Sequence, residues 1–307
     1  MNPTYMATAR LLTEVAPIVV DDDVFAVKGG TAINLFLREM PRLSVDLDLV
    51  FPDHRPARTE ALAAINKALR NAKSRLATRG FQVKTVSAAD MGETKLLVRR
   101  DEILVKVEVN TVIRGTVYPT RTASLSASAR DVLMADLELP LLSTEDIYGG
   151  KLVAAMDRQH PRDLFDVMGL FANEGITEGI RRAFVVYLAS HNRPFHEVLF
   201  ATPKDIRLEF DGTFVGMTTE PVSLDVLLET RSRLFQELPA ALDANERQFL
   251  RTMARAEPDW SLLEIPHLEL LPAVRWKLQN LEKLARTNPA KLRTMSDALD
   301  QRLQALP

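Results

Sequence analysis

Two aspartates placed one residue apart on a hydrophobic strand constrain this chain more than any other feature. Residues 42–51 read Arg-Leu-Ser-Val-Asp-Leu-Asp-Leu-Val-Phe, so that Ser44, Asp46 and Asp48 alternate with apolar residues. Because successive side chains of a strand point to opposite faces, both carboxylates are predicted to project from one polar face. Adjacent carboxylates repel each other unless a cation lies between them, and oxygen ligands of this kind suit Mg²⁺. The pattern therefore predicts a metal site on a strand whose other face is buried.

A glycine pair precedes this strand. A short apolar strand leads into the predicted turn Lys28-Gly29-Gly30-Thr31, and a helix is predicted from there to about residue 40. Glycine lets backbone N–H groups come close to a phosphate. We expect Gly29, Gly30 and Thr31 to contact phosphates. A phosphate-binding turn that faces paired aspartates is typical of nucleotidyl transfer.

Length and composition exclude several classes of protein. The 307 residues, 46% of them hydrophobic, are enough for two domains. A formal net charge of −2 argues against a globally basic nucleic-acid binder, and the lack of cysteine excludes disulfides, zinc–thiolate sites and a thiol nucleophile. The sequence shows no apolar run of membrane-spanning length and no signal-peptide pattern at its start. We therefore expect a cytoplasmic protein without a membrane partner.

The spacing of apolar residues changes near residue 140. Before it, predicted helices at residues 4–18 and 58–78 flank strand-like runs at 81–86, 95–98 and 103–112. After it, helical spacing dominates and begins at Ser143-Thr144-Glu145-Asp146, which is a typical helix start. Residues 193–222 are predicted to form a loop or a small hairpin, and further helices are predicted after Pro161 and at residues 176–190, 223–238, 243–256 and 268–305. These patterns predict an α/β domain at residues 1–140 and a helical domain at residues 141–307.

The strand predicted at residues 103–112 offers a third carboxylate. Lys106, Glu108 and Asn110 share one face of it, opposite a row of valines. If this strand lies beside the Asp46 strand, Glu108 joins the two aspartates, and three carboxylates can hold two Mg²⁺ ions, or one ion with a base beside it. The alternative is an ordinary amphipathic strand with a solvated polar face.

A second charged segment lies at residues 149–167. Lys151 and Arg158 are two turns apart on one predicted helix, and Asp163 and Asp166 are neighbours on the next. The two cations suit the charge that develops on a departing pyrophosphate. A salt-bridge lattice between the arginines and aspartates of this segment is the alternative. We expect Lys151 to be exposed, so that truncating it removes activity without unfolding the protein.

A cluster of cations lies at residues 273–294, where Glu282 is the sole acidic residue and Trp276 is interleaved. The cations are Arg275, Lys277, Lys283, Arg286, Lys291 and Arg293. A helical face of this kind either binds an RNA backbone or is a solvated surface. The sequence leaves both interpretations open.

Together these motifs resemble the AbiEii/AbiGii nucleotidyltransferase toxins of type IV toxin–antitoxin and abortive-infection systems, to which the MenT toxins are similar. The motifs are Lys-Gly-Gly-Thr at residues 28–31, Arg-x-Ser-x-Asp-x-Asp-Leu at 42–49, Val-Glu-Val-Asn at 107–110 and the Lys/Arg-Asp-x-x-Asp segment at 151–166. The resemblance implies an α+β fold, in which a DNA polymerase β-type nucleotidyltransferase domain is followed by an all-helical C-terminal domain. It also implies dependence on Mg²⁺ and a nucleoside triphosphate as substrate.

The resemblance carries over residue by residue. It makes Ser44 part of the aspartate motif, Lys151 the family's essential lysine, and Asp163 and Asp166 its later acidic motif. Catalytic roles are thereby expected for Asp46, Asp48, Glu108, Lys151, Asp163 and Asp166, and nucleotide binding for Gly29, Gly30, Thr31, Ser44, Lys151 and Arg158. The wider family of folds has Gly-Ser where this chain has Gly30-Thr31, so which of the two contacts a phosphate stays open.

The resemblance also suggests an acceptor. For some relatives it is the tRNA 3′ end, whose extension blocks aminoacylation and so translation, and a cognate antitoxin protein is implied as a partner. Transfer to a hydroxyl of a protein or of a small molecule is one alternative. A catalytically inactive regulatory protein is the other.

Overall fold

The computed structural model describes residues 2–88 and 92–306. The chain forms two compact units, of which the first comprises Met1–Ser143 and Phe214–Pro221, and the second Thr144–Thr213 and Val222–Pro307. Backbone hydrogen bonds attach the late segment Phe214–Pro221 to the first unit. Gly216 accepts from Asn2, and Met217 accepts from Leu43, both at 2.8 Å.

The first unit is a mixed seven-stranded sheet with flanking helices. The strands run in the order β3-β4-β5-β2-β1-β7-β6. They are β1 (Ala26–Lys28), β2 (Asp46–Val50), β3 (Gln82–Ala88), β4 (Gly92–Arg100), β5 (Ile103–Asn110), β6 (Arg121–Ser124) and β7 (Glu138–Leu141). The helices are α1 (Pro3–Val20), α2 (Gly29–Ala32), which continues as a π-helical turn over Ile33–Leu37, α3 (Arg58–Thr78) and α4 (Ala127–Leu133). Strand β2 lies at the centre, antiparallel to β1 and parallel to β5.

Alternating apolar residues account for the centre of this sheet. Leu47 and Leu49 of β2 are completely buried, as are Val105 and Val107 of β5, and the charged residues between them lie on the opposite face. Helix α1 packs against β5 and helix α3 against β4. The chain therefore covers the apolar face of the central strands with helices, and their charged face is left for other contacts.

Every secondary-structure element described in the second unit is a helix. Its helices are α5 (Thr144–Asp157), α6 (Pro161–Ala172), α7 (Glu178–Ala189), α8 (Phe195–Leu199), α9 (Arg207–Thr213), α10 (Leu224–Ala241), α11 (Ala244–Ala254), α12 (Pro272–Thr287) and α13 (Pro289–Gln304). Two 3₁₀ turns, Trp260–Leu263 and Leu268–Leu270, precede α12. Within the described ranges, no helix is both long and apolar enough to span a membrane.

Three sequence-based predictions of secondary structure are wrong. The helix predicted up to residue 40 ends at Leu37, and the segment 193–222 contains helices α8 and α9 rather than a hairpin. The single helix predicted at 268–305 is divided at Asn288, whose side chain accepts a hydrogen bond from the backbone of Lys291 at 3.0 Å and so caps α13. Proline at position 289 has no N–H to continue α12, and it suits the first turn of a new helix.

Candidate active site

Gly29, the first glycine of the turn, lies close to Asp48. Gly29 follows β1 directly with a φ of +71°, in the left-handed region that favours glycine. A β-carbon added to it would lie only 2.7 Å from Oδ2 of Asp48. Asp48 is there because β2 runs alongside β1 with Lys28 opposite Asp48. The carboxylate of Asp48 thus lies against the backbone of the turn, in space that any other residue would occupy.

Two hydroxyl groups tie the turn to the aspartate strand. Oγ1 of Thr31 donates a 2.6 Å hydrogen bond to the carbonyl of Asp46 and lies 2.9 Å from Oγ of Ser44. Both side chains belong to buried residues. The Thr31 hydroxyl therefore faces the interior and holds Asp46 in place, so the side chain acts as a positioning group.

The structure places β5 directly beside β2. In this parallel pair Asp46 lies opposite Lys106, and Asp48 lies opposite Glu108. Because paired residues of neighbouring strands share a face of the sheet, Asp46, Asp48 and Glu108 project to the same side. From the sequence, Glu108 was expected to join the two aspartates only if its strand lay beside that of Asp46. The register of β2 and β5 shows that the two strands are neighbours.

Glu108 nevertheless has a cationic partner. Its carboxylate makes a 2.7 Å salt bridge to Lys95, which lies opposite it on β4, and both side chains are about one-third to two-fifths exposed (35% and 43%). Among the residues described, no three His, Cys, Asp or Glu side chains converge as a metal-binding group. The metal site of three carboxylates stays a prediction. Asp46 and Asp48 still supply paired oxygen donors beside a glycine turn, which is a donor set that fits a hard divalent cation.

In the second unit, Lys151 and two aspartates form a buried ion cluster. Nζ of Lys151 lies 2.7 Å from Oδ1 of Asp163 and 2.9 Å from Oδ2 of Asp166. Nε of Arg158 lies 2.5 Å from Oδ2 of Asp163, which makes this second pair bidentate together with the 2.9 Å contact from Nη2. Helix α5 carries both cations and α6 both carboxylates. These contacts form the interhelical salt-bridge lattice that was the alternative interpretation of the sequence.

Burial decides how these charges behave. The side chains of Lys151, Asp163 and Asp166 are at most 6% exposed, whereas that of Arg158 is 64% exposed. The prediction of an exposed Lys151 is therefore wrong. Burial alone would raise the pKa of Asp163, but the charge of Lys151 and the hydrogen bond from Arg158 outweigh it and hold that pKa far below its ordinary value. Asp163 stays ionised, and Arg158 is the cation of this cluster that solvent and ligands can reach.

Close helix packing sets the position of the cluster. A β-carbon on Gly149 would lie 2.7 Å from Cβ of Ala183 and 2.8 Å from its backbone carbon, so α5 and α7 approach to a distance that only glycine permits. Three residues earlier, the buried carboxylate of Asp146 accepts a 3.0 Å hydrogen bond from the hydroxyl of Tyr187. The sequence showed the Gly149-Gly150 pair but gave no sign of these partners.

Gln159 joins the ends of helices α5 and α6, and the sequence analysis missed it. This buried residue has a φ of +56° and immediately follows Arg158. Its Nε2 donates to the carbonyl of Thr202 (2.9 Å), and its Oε1 accepts from the backbone N–H of Lys204 (2.9 Å) and from Nη1 of Arg231 (3.2 Å). Gln159 therefore anchors the turn that brings Arg158 to Asp163. A left-handed glutamine has no recognisable sequence signal.

One of the cations predicted to form a basic face at residues 273–294 is not on the surface. Lys277 is buried, and its Nζ donates a 2.7 Å hydrogen bond to the carbonyl of Arg193 and lies 4.9 Å from the ring centroid of Phe195. Burial lowers the pKa of Lys277 to about 8. Its inclusion in an exposed RNA-binding face was wrong, because this lysine faces the interior of the helical unit. Trp276 is 59% exposed, and the remaining cations are exposed as well: Arg275, Lys283, Arg286, Lys291 and Arg293.

Comparison with known proteins places this geometry in a family. Residues 10–280 match the family model described as nucleotidyl transferase AbiEii toxin, type IV toxin–antitoxin system. The fold is similar to that of MenT4, a nucleotidyltransferase toxin from Mycobacterium tuberculosis, with a TM-score of 0.60 and 20% sequence identity over 91% of this chain and 95% of that chain. A search of curated protein sequences found no significant match. Because the family model spans most of its length, the chain belongs to the AbiEii family of nucleotidyltransferase toxins of type IV toxin–antitoxin systems.

Proposed function

We propose that this chain transfers a nucleoside monophosphate from a nucleoside triphosphate to an RNA hydroxyl, with the tRNA 3′ end as acceptor, and thereby blocks translation. One observation carries the proposal, which is the contact between Asp48 and the backbone of Gly29. It puts a carboxylate capable of holding a cation at the glycine turn where phosphates can approach the backbone.

Asp46 and Asp48 are the residues that would hold Mg²⁺. Bound there, the ion would neutralise charge on the phosphates of the nucleotide. Other residues of the chain position these two aspartates. Thr31 holds the backbone of Asp46, and Gly29 leaves room for the carboxylate of Asp48. Phosphoryl transfer depends mostly on positioning and charge neutralisation, so these supports matter as much as the ligands.

Glu108 is the candidate for orienting or deprotonating the acceptor hydroxyl. It lies opposite Asp48 in the sheet register and is accessible to solvent. Its salt bridge to Lys95 joins two partly exposed side chains, and pairs of this kind contribute little, about 0–1 kcal/mol. Lys95 can therefore release Glu108 to an incoming hydroxyl at small energetic cost.

Arg158 and Lys151 receive different roles. Arg158 is exposed and its guanidinium is oriented by Asp163, which suits a group that binds an anion such as pyrophosphate. Lys151 is buried between Asp163 and Asp166, so it acts as the internal counter-charge that keeps Asp163 in position.

The exposed cations of α12 and α13 are proposed to bind the RNA backbone. Arg275, Lys283 and Arg286 lie on α12 near the exposed Trp276, onto which an unpaired base could stack. Reversing Lys283 and Arg286 to Glu should raise the KM for RNA several-fold and reduce its dependence on salt, because fewer counterions are released. The KM for the nucleoside triphosphate should stay unchanged. An unaltered KM for RNA would assign these cations to an ordinary solvated surface.

A labelling experiment tests the proposed reaction. The purified chain is incubated with Mg²⁺, total tRNA and each α-³²P-labelled nucleoside triphosphate in turn. Labelled RNA is expected with wild type, and Asp46→Asn or Asp48→Asn should lower the rate by about 10³-fold or more. Asp131→Asn, which changes an exposed aspartate on α4, is the matched control and should leave the rate unchanged.

The alternatives are outcomes of the same experiment. Label on protein or on a small molecule would replace RNA as the acceptor, and no transfer to any acceptor would favour a catalytically inactive regulatory protein. The proposed toxin role and a cognate antitoxin partner are tested separately by expression in bacteria. Growth should slow with wild type but not with Asp48→Asn, and co-expression of a separately encoded antitoxin should restore it.

A further inference from the structure

Gly29 and Gly30 exclude a side chain for different reasons. Gly29 has a φ of +71° and faces Asp48. Gly30 lies in helical backbone, a conformation that any L-residue adopts readily. What excludes a side chain there is contact, because a β-carbon on Gly30 would lie 2.6 Å from Nη2 of Arg42 and 3.2 Å from Oγ of Ser44. Gly30 therefore makes room for the guanidinium of Arg42.

Arg42 is held firmly in this position. The residue is only 2% exposed, and its Nη1 donates a 2.9 Å hydrogen bond to the carbonyl of Leu43. The late segment Phe214–Pro221 anchors the backbone around it. Arg42 forms a β-bridge with Thr218, and the N–H of Thr219 donates to the carbonyl of Pro41 at 2.9 Å. The guanidinium thus has little freedom to move away from the turn.

The guanidinium of Arg42 carries a fixed positive charge at a position that is almost fully buried. Here the fixed charge lies directly behind the turn that is proposed to bind phosphates. Coulomb interactions are stronger away from bulk water. A buried cation next to the turn therefore attracts a ligand with several negative charges more strongly than a ligand with fewer.

We propose that Arg42 is a positioning residue of the triphosphate site, which shapes the Gly29-Gly30 turn and favours nucleotides according to the number of their phosphates. This inference rests on the proposed function. It assigns to Gly30 the task of admitting the guanidinium, and to Phe214–Pro221 the task of holding the segment that carries Arg42.

The test measures binding rather than turnover. Affinities of wild type and of Arg42→Met for nucleoside tri-, di- and monophosphates are determined by calorimetry in the presence of Mg²⁺. Arg42→Met should weaken triphosphate binding by about tenfold or more, because the fixed charge beside the turn is lost, and should weaken monophosphate binding far less. Arg42→Lys keeps the charge and should recover part of the preference.

Gly30→Ala provides an independent test, because its methyl group would displace the guanidinium of Arg42. It should weaken triphosphate binding in wild type but add little in an Arg42→Ala background, where the space is vacant. Gly212→Ala is the matched control, since a β-carbon there would meet no atom within 4 Å. If Arg42→Met fails to fold, as judged by circular dichroism, Gly30→Ala and Arg42→Lys carry the test.

The outcomes separate this inference from the proposed function. A wild-type protein that shows no preference for triphosphates would overturn both. A wild type that prefers triphosphates, together with variants that keep that preference or lose affinity for all three nucleotides equally, would overturn the role of Arg42 alone. Additive effects of Gly30→Ala and Arg42→Ala would likewise contradict a shared site.

Discussion

Lys151 donates a 2.7 Å hydrogen bond to Oδ1 of Asp163, and neither side chain is more than 6% exposed. An ammonium group and a carboxylate with so little access to water depend on each other. Removing one partner of such a pair leaves a buried charge uncompensated, which costs more than the pair contributes. The loss of activity expected from changes at Lys151 is therefore inseparable from a loss of stability.

We expect Lys151→Met to lower the free energy of unfolding by about 3–5 kcal/mol, because Asp163 and Asp166 would lose their buried cationic partner. Urea denaturation followed by circular dichroism measures the change. Lys283→Met, at an exposed position of α12, is the control and should stay within about 0.5 kcal/mol of wild type. Equal stability of the two variants would contradict the buried cluster.

Two adjacent glycines of α5 should respond in opposite ways. Gly149→Ala would bring a methyl group within 3 Å of the backbone of α7, so we expect a loss of about 1–3 kcal/mol. Gly150→Ala meets nothing closer than 3.7 Å from the Tyr187 ring and should be neutral or stabilising by up to about 1 kcal/mol through helix propensity. Thermal unfolding of both variants gives the comparison. A tolerated alanine at position 149 would show that α5 and α7 are further apart than described.

Gln159→Leu should destabilise the α5–α6 turn by about 1–3 kcal/mol, because it removes the hydrogen bonds of Gln159 to the carbonyl of Thr202 and to the N–H of Lys204. Since the turn orients Arg158, kcat should also fall in protein that is fully folded at the assay temperature. Thr177→Ala, which removes a helix cap far from this turn, is a control for stability loss alone. A variant with the same stability loss and an unchanged kcat would limit Gln159 to a structural role.

The buried lysine of α12 predicts a dependence of stability on pH. Burial lowers the pKa of Lys277 from 10.5 to about 8, so between these values the folded protein binds fewer protons than the unfolded chain. Stability from this group therefore rises as pH increases through that window, against the usual direction for lysine. The free energy of unfolding of wild type, relative to that of Lys277→Met, should increase by roughly 1–2 kcal/mol between about pH 8 and pH 10. Urea denaturation at several pH values measures it, and a constant difference would refute the shifted pKa.

Local sequence patterns predicted much of the first unit. The alternation around Asp46 and Asp48 specified a half-buried strand, and the spacing of apolar residues from Leu62 to Leu76 specified helix α3, because both periodicities are properties of a few neighbouring residues. The family motifs likewise lie within short segments. These features could be read without any knowledge of long-range contacts.

Burial and partners depended on residues far apart in the chain. Lys151 and Lys277 look like surface lysines in sequence, yet the elements packed around them make one a counter-charge and the other a donor to the carbonyl of Arg193. Arg42 borders Gly30 because residues 41–43 pair with a segment more than 170 positions later. The sequence by itself determined which chemical groups this protein carries and the periodicity of its elements. Only the tertiary structure decided which of those groups meet and which face water, because desolvation and ion pairing arise from contacts that no local pattern encodes.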